Sequence, residues 1–387
     1  MKIAFVCIGD PFTVSMLYKE NYMIRAAVED GHDVIVIASD LEWHEGKRRR
    51  LPVPRVSIEH GYKLFRIPFR KMGPRRVTEK LRYAPTLRKI LLAHEPNIVY
   101  FNTAQLPGIK LAKQLKARNS QTRIVCHFTT TYDNSGRNFI SLRIQHGMLY
   151  RRWLKVALPY IDELFYAAPE SLAFLCQVYA IPAHRLSFLP LPGEVFPVES
   201  RRLSRKQFRD RHDFTDTEIV YLHAGKFDAG KQTVQLLESF HDAKDPDFRL
   251  VLAGTLSPSI EASASRIIEL DPRIIHLGFL SGAELVKSIC GSDVYLQPGT
   301  VSQTAQTAIC CGLPVVVGNH PIYRDLCKDN AFLVESAASL THIFRAISQD
   351  RHVLESMSTH SFYVAENHLD FRMLFRRVAL ADAVEGP

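Results

Sequence analysis

Short apolar runs alternate with longer helical patterns along this chain, and the alternation occurs twice. Strands that are apolar throughout and separated by helices are typical of parallel sheets covered on both faces. The first series of strand patterns comprises Lys2–Ile8, Asp33–Ala38, Leu64–Ile67, Ile98–Phe101, Arg123–Phe128 and Glu163–Ala167. The second comprises Ile219–His223, Arg249–Ala253, Ile274–Leu277, Val294–Gln297 and Val315–Val317. The sequence therefore predicts the α/β class, with two Rossmann-like, doubly wound domains.

A proline- and glycine-rich stretch between the two series marks a linker, with Pro190, Pro192, Gly193 and Pro197. We place the first domain at residues 1–195 and the second at 196–366. A chain of 387 residues, 46% of them hydrophobic, is long enough for two cores. Ligands of open α/β sheets bind at the carboxyl ends of the strands, so we expect a site in a cleft between the domains.

The sequence contains no run of about 18 apolar residues, and Met1 leads directly into a strand pattern. We therefore expect neither a transmembrane helix nor a signal peptide. The seven cysteines are scattered, without CxxC or Cys/His ligand spacing, which favours reduced thiols and no metal site. These features predict a cytoplasmic protein.

Positive charge is concentrated in the first half. Residues 1–196 hold 29 Lys and Arg against 16 Asp and Glu, whereas residues 197–387 hold 20 against 24. The cations cluster at Lys47–Arg50, Arg66–Lys89 and Arg151–Lys155, with Phe65, Pro68, Phe69, Met72, Tyr83, Tyr150 and Trp153 among them. Interfacial segments need apolar groups beside their charges, so this pattern favours an anionic membrane surface over nucleic acid. The alternative is a solvated basic face.

The stretch from Tyr221 to Lys231 carries the most chemical information. It runs from a strand pattern into a glycine-containing turn that places Lys226 and Lys231 before a predicted helix. Glycine lets backbone N–H groups approach phosphate oxygens, a helix N-terminus adds positive partial charge, and two ammonium groups neutralise a diphosphate. The alternative is an ordinary strand-turn-helix corner with two solvated lysines.

Several motifs in order resemble those of GT-B glycosyltransferases, most closely the retaining family 4. That family opens its second domain with Gly-Arg-Leu-x-x-x-Lys-Gly, which Gly225–Lys231 matches with Lys226 in place of arginine. Further similar segments are Leu189–Pro197, Leu250–Gly254, Ile275–Ser281, Ser292–Pro298 and Cys311–Val317. The resemblance implies a nucleotide-sugar donor in the second domain and a helix over 367–387 that crosses back to the first.

The family's two glutamates are absent here. Counting back from Gly312, the corresponding positions are Gly299 and Thr307. A Gly-containing turn followed by a helix lies at these positions, so we expect the phosphate cradle to persist. Which residue holds the ribose and the donor sugar is left open, with Gln303, Gln306 and Thr307 as the candidates. The donor-binding residues implied are Gly225, Gly278, Phe279, Leu280, Thr300, Ser302, Gln303, Thr304 and Thr307.

In the first domain, His127 ends a strand pattern where the family places a histidine near the donor sugar. Gly9 and Asp10 follow the first strand, in the position of the family's acceptor-side loop. The resemblance thus implies Lys226, Lys231 and His127 as catalytic residues and Gly9 and Asp10 as acceptor-binding residues.

The implied function is transfer of a sugar from a nucleotide-sugar donor to a glycan or lipid-linked acceptor. Membership would further imply retention of configuration, no metal and no cofactor, and a place in bacterial cell-surface polysaccharide synthesis on the inner face of the plasma membrane. A non-catalytic nucleotide-sugar-binding protein is an alternative. A nucleotide-sugar 2-epimerase is less favoured, because the Ser-Gly-Gly-x-x-Glu pattern of those enzymes is missing.

Overall fold

The computed structural model describes residues 1–44, 47–136 and 138–380. The chain divides into two compact units. The first unit comprises Met1–Val14, Glu20–Pro190 and the C-terminal segment from Arg372, and the second comprises Ser15–Lys19 and Leu191–Phe371. Each unit is a parallel sheet with helices, so the predicted fold class of two Rossmann-like α/β domains is confirmed.

The sheet of the first unit has eight strands in the order β10-β9-β8-β7-β1-β2-β6-β5. The strands of the unit are β1 Lys2–Cys7, β2 Asp33–Ser39, β3 Leu41–His44, β4 Lys47–Arg50, β5 Arg55–Glu59, β6 Tyr62–Ile67, β7 Ile98–Phe101, β8 Arg123–Phe128, β9 Glu163–Tyr166 and β10 Leu186–Phe188. All neighbours in the sheet are parallel except β5 and β6, and β3 pairs with β4 in a separate antiparallel ribbon. The direction of winding reverses between β1 and β7.

The helices of the first unit cover the apolar strands. They are α1 Lys19–Glu29, α2 Arg75–Leu81, α3 Thr86–His94, α4 Leu111–Arg118, α5 Arg151–Ala157 and α6 Pro169–Val178, with a π-helical segment at Ile140–Tyr150 that continues into α5. The core includes Val99, Phe101, Ile124 and Phe128, which are fully buried. Within the described ranges, no helix combines the length and apolarity that a bilayer crossing requires.

The second unit has a six-stranded parallel sheet in the order β13-β12-β11-β14-β15-β16. Its strands are β11 Ile219–Phe227, β12 Phe248–Leu256, β13 Ile274–Gly278, β14 Val294–Gln297, β15 Val315–Gly318 and β16 Ala331–Val334. Numbered within the unit, this is the 3-2-1-4-5-6 order of dinucleotide-binding folds, in which ligands sit where the winding reverses. That point lies between β11 and β14.

The helices of the second unit connect these strands. They are α7 Val198–Arg211, α8 Thr233–Ala243, α9 Glu261–Leu270, α10 Gly282–Gly291, α11 Gln303–Cys310, α12 Pro321–Leu326, α13 Ala337–Gln349 and α14 Val353–Val364. The core packs Tyr221, Leu250 and Leu296 of adjacent strands, all fully buried.

Strand β11 is longer than the sequence predicts. Gly225 and Lys226, expected in a turn, extend the strand and pair with Gly254 and Thr255 of β12. The two glycines explain the extension, because a Cβ on Gly254 would overlap the carbonyl group of Gly225. The two backbones can come this close because Gly254 has no side chain.

The last helix, α15 Phe371–Ala379, follows the π-helical turn Ala365–Leu369. The sequence predicts a helix over Leu369–Val384, and residues 381–387 lie outside the described residues. From Arg372 onward the chain belongs to the first unit. Its apolar face is buried there through Leu374, Phe375 and Val378.

Ion pairs and backbone bonds fix the register of α15. Arg372 donates to Glu29 over 2.8 Å and Arg376 pairs with Asp30 at 3.3 Å. Arg123 of β8 donates to the carbonyl oxygens of Val378 and Ala379, which are otherwise unsatisfied at a helix C-terminus. The helix is thus an integral part of the first unit.

Replacing Phe375 with alanine should destabilise the first unit by about 3–5 kcal/mol, because a buried aromatic ring is lost and a cavity remains. The two tryptophans, Trp43 and Trp153, both lie in this unit, so their fluorescence during denaturant unfolding reports on it selectively. Leu380→Ala is the matched control, since Leu380 is 56% exposed, and should change stability by less than about 0.5 kcal/mol. An unchanged tryptophan transition in Phe375→Ala would contradict this packing.

Candidate active site

Two backbone segments meet where the winding of the second sheet reverses. The turn after β14 lies directly against the segment that follows β11: the amide of Thr300 donates to the carbonyl oxygen of Gly230 over 3.0 Å. A Cβ on Gly299 would overlap the Gly230 carbonyl oxygen and come within 2.7 Å of the Cα of Lys231. The structure therefore brings Lys231 together with the turn from Thr300 onward, as predicted from the sequence.

Lys231 is the half-buried cation of this site. Its ammonium group lies beside Gly225, whose added Cβ would be 4.0 Å from Nζ. Burial lowers the pKa of Lys231 to about 8, and the nearby carboxylate of Asp228 opposes that shift. Asp228 also accepts from the amide of Gly230 over 3.0 Å, which fixes the short 3₁₀ turn Ala229–Lys231. The second predicted cation, Lys226, is exposed.

A buried amide shapes the turn that faces Lys231. Gln297 donates through Nε2 to the carbonyl oxygen of Thr300 over 2.8 Å, and its Oε1 lies 3.1 Å from the Tyr295 hydroxyl group. His320 donates through Nε2 to the carbonyl oxygen of Gly299 over 2.9 Å. The backbone of the turn is thus held by side chains rather than by a regular element.

Helix α11 begins at this turn. The Ser302 hydroxyl group caps it by accepting from the amide of Ala305 over 3.4 Å. The first amides of a helix have no acceptor within it, so those at Gln303 and Thr304 can bind an anion. The Gln303 side chain donates to the carbonyl oxygen of Pro192 over 2.6 Å. The sequence predicts a phosphate cradle at this turn, and the capped helix with its free N-terminal amides has the groups that such a cradle needs.

The remaining residues predicted to bind the donor lie at another strand end. Gly278 closes β13 with φ 68°, which favours glycine, and is followed by Phe279 and Leu280. Phe279 is 44% exposed. Three strand spacings separate β13 from β14, about 14 Å, so the two groups of residues are at opposite ends of an elongated site.

The two residues predicted to bind the acceptor lie where the winding of the first sheet reverses. Gly9 and Asp10 follow β1, and a Cβ on Gly9 would overlap the Thr103 side chain just beyond β7. Asp10 is exposed, and its carboxylate lies 3.8 Å from the guanidinium group of Arg82. Arg82 also donates to the Gln105 carbonyl oxygen over 3.2 Å. Sequence analysis did not single out Arg82 within its basic segment.

His127 is the second-last residue of β8, and its side chain is fully buried. Its Nδ1 lies 2.7 Å from the Tyr100 hydroxyl group, and its Nε2 donates to the carbonyl oxygen of Leu189 over 2.9 Å. The structure therefore places this ring in the interior of the first unit, where both nitrogen atoms are engaged. A catalytic role for His127 stays a prediction.

The aromatic residues expected beside the basic clusters are mostly inside. Tyr150 is 2% exposed, and Phe65 and Trp153 pack against the core. The expectation that these three side chains serve a surface is wrong, because their rings complete the apolar cover of the sheet. The cation Arg66 is also buried, and donates to the carbonyl oxygens of Phe12, Ser39 and Leu41.

Solved structures share this fold over their full lengths. HepE from Anabaena, crystallised in complex with UDP, has a TM-score of 0.69 and 15% identity, and the match covers 99% of this chain and 100% of that one. Sucrose-phosphate synthase from Thermosynechococcus elongatus has a TM-score of 0.71 at 15% identity, covering 99% and 98%. WaaG, a glycosyltransferase involved in lipopolysaccharide biosynthesis, has a TM-score of 0.63 at 16% identity, covering 100% of both chains.

Two family models match this sequence, one in each predicted domain. The one described as Glycosyltransferase Family 4 matches residues 21–192, and the one described as Glycosyl transferases group 1 matches residues 204–360. The chain is a GT-B glycosyltransferase of the family 4 type. A search of curated proteins found no match to the sequence.

The structure explains why this glycosyltransferase has no glutamate at position 299. The backbone of Gly230 and Lys231 occupies the space of any side chain there. At the second position, Thr307 is fully buried and its hydroxyl group donates to the carbonyl oxygen of Gln303 over 3.2 Å. Gln306 is also buried, and its amide atoms have no partner among the described residues. The site is therefore built without the family's carboxylates.

Three side chains of the site were not identified from the sequence: Tyr295, Gln297 and His320. Gln297 offered a signal, since it is a polar residue at the end of an apolar strand pattern and immediately precedes Pro298. Tyr295 and His320 gave none, because only the folded chain brings them to the turn. Across the described ranges, no group of three or more His, Cys, Asp and Glu side chains could hold a metal ion.

The geometry predicts that Lys231 titrates near pH 8 and that Asp228→Asn lowers its pKa further. Asparagine keeps the oxygen that accepts from Gly230 but removes the charge that favours the ammonium form. NMR of ¹³C-labelled lysine side chains measures both values. A Lys231 signal that titrates at or above the ordinary lysine value of about 10.4 would contradict the burial.

Proposed function

We propose that this glycosyltransferase moves a sugar from a nucleoside-diphosphate donor to a glycan or lipid-linked acceptor in bacterial cell-surface polysaccharide synthesis. The observation that carries the proposal is the desolvated ammonium of Lys231 beside Gly225, at the point where the sheet's winding reverses. UDP is the leading candidate for the nucleotide, because HepE was crystallised with it. WaaG's involvement in lipopolysaccharide biosynthesis supports the pathway.

The chemistry follows from where charge develops. When the glycosidic bond to the donor breaks, negative charge grows on the β-phosphate oxygen and positive charge on the sugar ring. A cation held in place before the reaction stabilises that oxygen without reorganisation, and it acts more strongly where water is excluded. Lys231, with the first amides of α11, would supply this stabilisation, and Lys226 would add a second, more exposed charge.

The two groups of donor residues suit the two ends of a nucleotide. The diphosphate would lie by Lys231 and Thr300–Thr304, and the base would reach Gly278–Leu280 at the end of β13, about 14 Å away across the sheet. Backbone groups at Gly278 and the exposed ring of Phe279 offer hydrogen bonds and a stacking surface. Gln303 or Gln306 would take over contacts that the missing glutamates make in the family.

Lys231→Ala should lower turnover by about 10²–10³-fold, the loss seen when one charge-stabilising group is removed from a transition state. Activity is measured as release of nucleoside diphosphate from UDP-, GDP-, ADP- and dTDP-sugars, each with candidate acceptors. Lys328→Ala is the matched control and should retain activity, since Lys328 is exposed and lies outside the site.

Wild-type activity in Lys231→Ala would overturn the assignment of the diphosphate site. A wild-type protein that binds the donor tightly but transfers no sugar to any acceptor would favour a non-catalytic binding protein. We further propose retention without a metal: ¹H NMR of the product should show the anomeric configuration of the donor, and EDTA should leave turnover unchanged.

We also propose that the first unit docks on an anionic membrane surface that presents the acceptor. In this proposal the segment from Phe139 to Lys155 is the membrane-binding surface, in place of the aromatic residues that the sequence suggested. Four large apolar side chains are exposed there, Phe139 at 74%, Ile140 at 65%, Ile144 at 51% and Met148 at 66%. The same segment continues into α5 with the exposed cations Arg151, Arg152 and Lys155.

Helix α2 lies beside this segment and extends the surface. The Tyr150 hydroxyl group donates to the carbonyl oxygen of Lys80 over 2.8 Å. Met72 and Val77 are exposed next to Arg75 and Arg76. Apolar side chains that can insert, with cations at the level of the headgroups, are the features of an interfacial helix.

Wild-type protein should sediment with vesicles that contain anionic lipid, should bind neutral vesicles much less, and should dissociate as salt is raised, since each cation contributes about 1 kcal/mol near such a surface. Ile144→Ser combined with Met148→Ser should weaken binding strongly. Ile58→Ser is the matched control, because Ile58 is 80% exposed on β5 of the same unit. Equal binding to both vesicle types, or no loss in the double variant, would leave a solvated basic face.

A further inference from the structure

Strand β5 forms one end of the eight-stranded sheet of the first unit. One of its edges pairs with β6, and across the described ranges no strand pairs with the other edge. Such an edge presents backbone N–H and C=O groups that can pair with a further strand. Pro54 precedes the strand, and a turn at His60 and Gly61 follows it. The segment open to pairing is therefore the five residues Arg55–Glu59.

The turn into β6 determines which backbone groups of β5 face outward. Both residues of the turn have positive φ, 42° and 88°, as in the type I′ turn of a two-residue hairpin. The flanking residues Glu59 and Tyr62 are paired and close this turn with backbone hydrogen bonds. Bonded and non-bonded pairs alternate along an antiparallel ladder, so the N–H and C=O groups of Val56 and Ile58 point away from β6. These two residues can bond to another strand.

The side chains of β5 are complementary to a second copy of the same strand. Val56 and Ile58 lie on one face of the sheet and are 55% and 80% exposed. Arg55 and Glu59 end the strand on the other face, and neither forms an ion pair within the described part of the chain. Edges that avoid association often carry lysines or prolines, whereas here opposite charges lie symmetrically about Ser57. The pattern favours self-association.

We propose that this chain forms a twofold-symmetric dimer, in which β5 pairs antiparallel with β5 of a second copy in a register centred on Ser57. Val56 then lies opposite Ile58 of the second copy and exchanges two backbone hydrogen bonds with it, and the symmetric pair exchanges two more. Arg55 lies opposite Glu59 of the second copy at both ends of the interface. The sheets of the two first units become one continuous sheet.

Other registers lose these contacts. A shift by two residues places Val56 opposite Val56, or Ile58 opposite Ile58, and leaves two backbone bonds instead of four. A shift by one residue sets outward-facing backbone groups against inward-facing ones and forms none. Either shift also separates Arg55 from Glu59 of the second copy. The centred register therefore satisfies the backbone and the charges together.

The interface is small. Five residues at about 3.4 Å each span only about 17 Å, and its apolar area comes from Val56 and Ile58 of the two copies. Interfaces of this size belong to transient complexes, so we expect a monomer–dimer equilibrium that depends on concentration. The vesicle experiment is run where the protein is monomeric, which keeps Ile58→Ser as its control. The dimer involves β5 alone and does not rest on the proposed function.

Sedimentation velocity over a series of protein concentrations tests the dimer. Wild type should shift towards twice the monomer mass as the concentration rises. Arg55→Glu and Glu59→Arg each replace two attractive pairs with two repulsive ones, so each should raise the dissociation constant by about tenfold or more. Lys113→Glu is the matched control and should dimerise like wild type, because Lys113 is exposed on α4, which connects β7 and β8.

Mixing the two reversed variants distinguishes a loss of pairing from a loss of folding. Arg55→Glu and Glu59→Arg carry opposite charges at the interface, so an equimolar mixture should restore a dimer that neither forms alone at the same concentration. A wild type that stays monomeric throughout, a dimer that both reversals leave intact, or a mixture that stays monomeric would each overturn the proposal.

Cysteine cross-linking tests the register. Ser57 lies opposite Ser57 of the second copy as a non-hydrogen-bonded pair, with Cα atoms about 4.5 Å apart, within the range of a disulfide. Ser57→Cys should therefore give a covalent dimer under oxidation that dithiothreitol reverses, whereas Lys113→Cys should not. A link at Val56→Cys or Ile58→Cys in place of Ser57→Cys would overturn the centred register.

Discussion

The contact between Gly299 and the Gly230–Lys231 backbone is the constraint on which the candidate site depends. It closes the gap between the ends of β11 and β14, where the chain leaves the sheet in opposite directions. The approach is possible only because Gly299 has no side chain, since a Cβ there would overlap the Gly230 carbonyl oxygen. The backbone that excludes a glutamate at position 299 is therefore also the backbone that carries Lys231.

A desolvated cation has a cost in the free protein that an anionic ligand can offset. Burial disfavours the ammonium form of Lys231, and the negative charge of Asp228 compensates only in part. Asp228 uses an oxygen to fix the Gly230 amide, so it holds the turn as well as tuning the charge. In the function proposed above, phosphate oxygens would offset this uncompensated charge, and would do so more strongly as their own charge increases in the transition state.

The strands were predictable where burial on both faces left an apolar run, as in β7, β8 and β14, whose bounds match the sequence prediction. They were not predictable at the edges. Strand β5 has only two apolar residues, Val56 and Ile58, both exposed, and β4 consists of the cations Lys47–Arg50, so neither has the apolar run of a buried strand. Strand β10 has three residues, and three of the four residues of β16 are only partly buried. The length of β11 depended on Gly254 of another strand, which no local pattern reveals.

The residues of the candidate site were likewise predictable only where the sequence signal was local. Lys231 could be found because its motif is local: strand, glycine and cation follow one another in the chain. Gln297, Tyr295 and His320 support the turn through tertiary contacts and were visible only in the structure. For the surface of the first unit, the local sequence pattern was misleading. Apolar residues among cations suggested insertion into a membrane, yet Phe65, Tyr150 and Trp153 pack in or against the core. The apolar side chains that are exposed in this region are others, such as Ile144 and Met148. A charged neighbour in the sequence does not determine whether an apolar side chain is exposed. That depends on which side of the helix packs against the sheet.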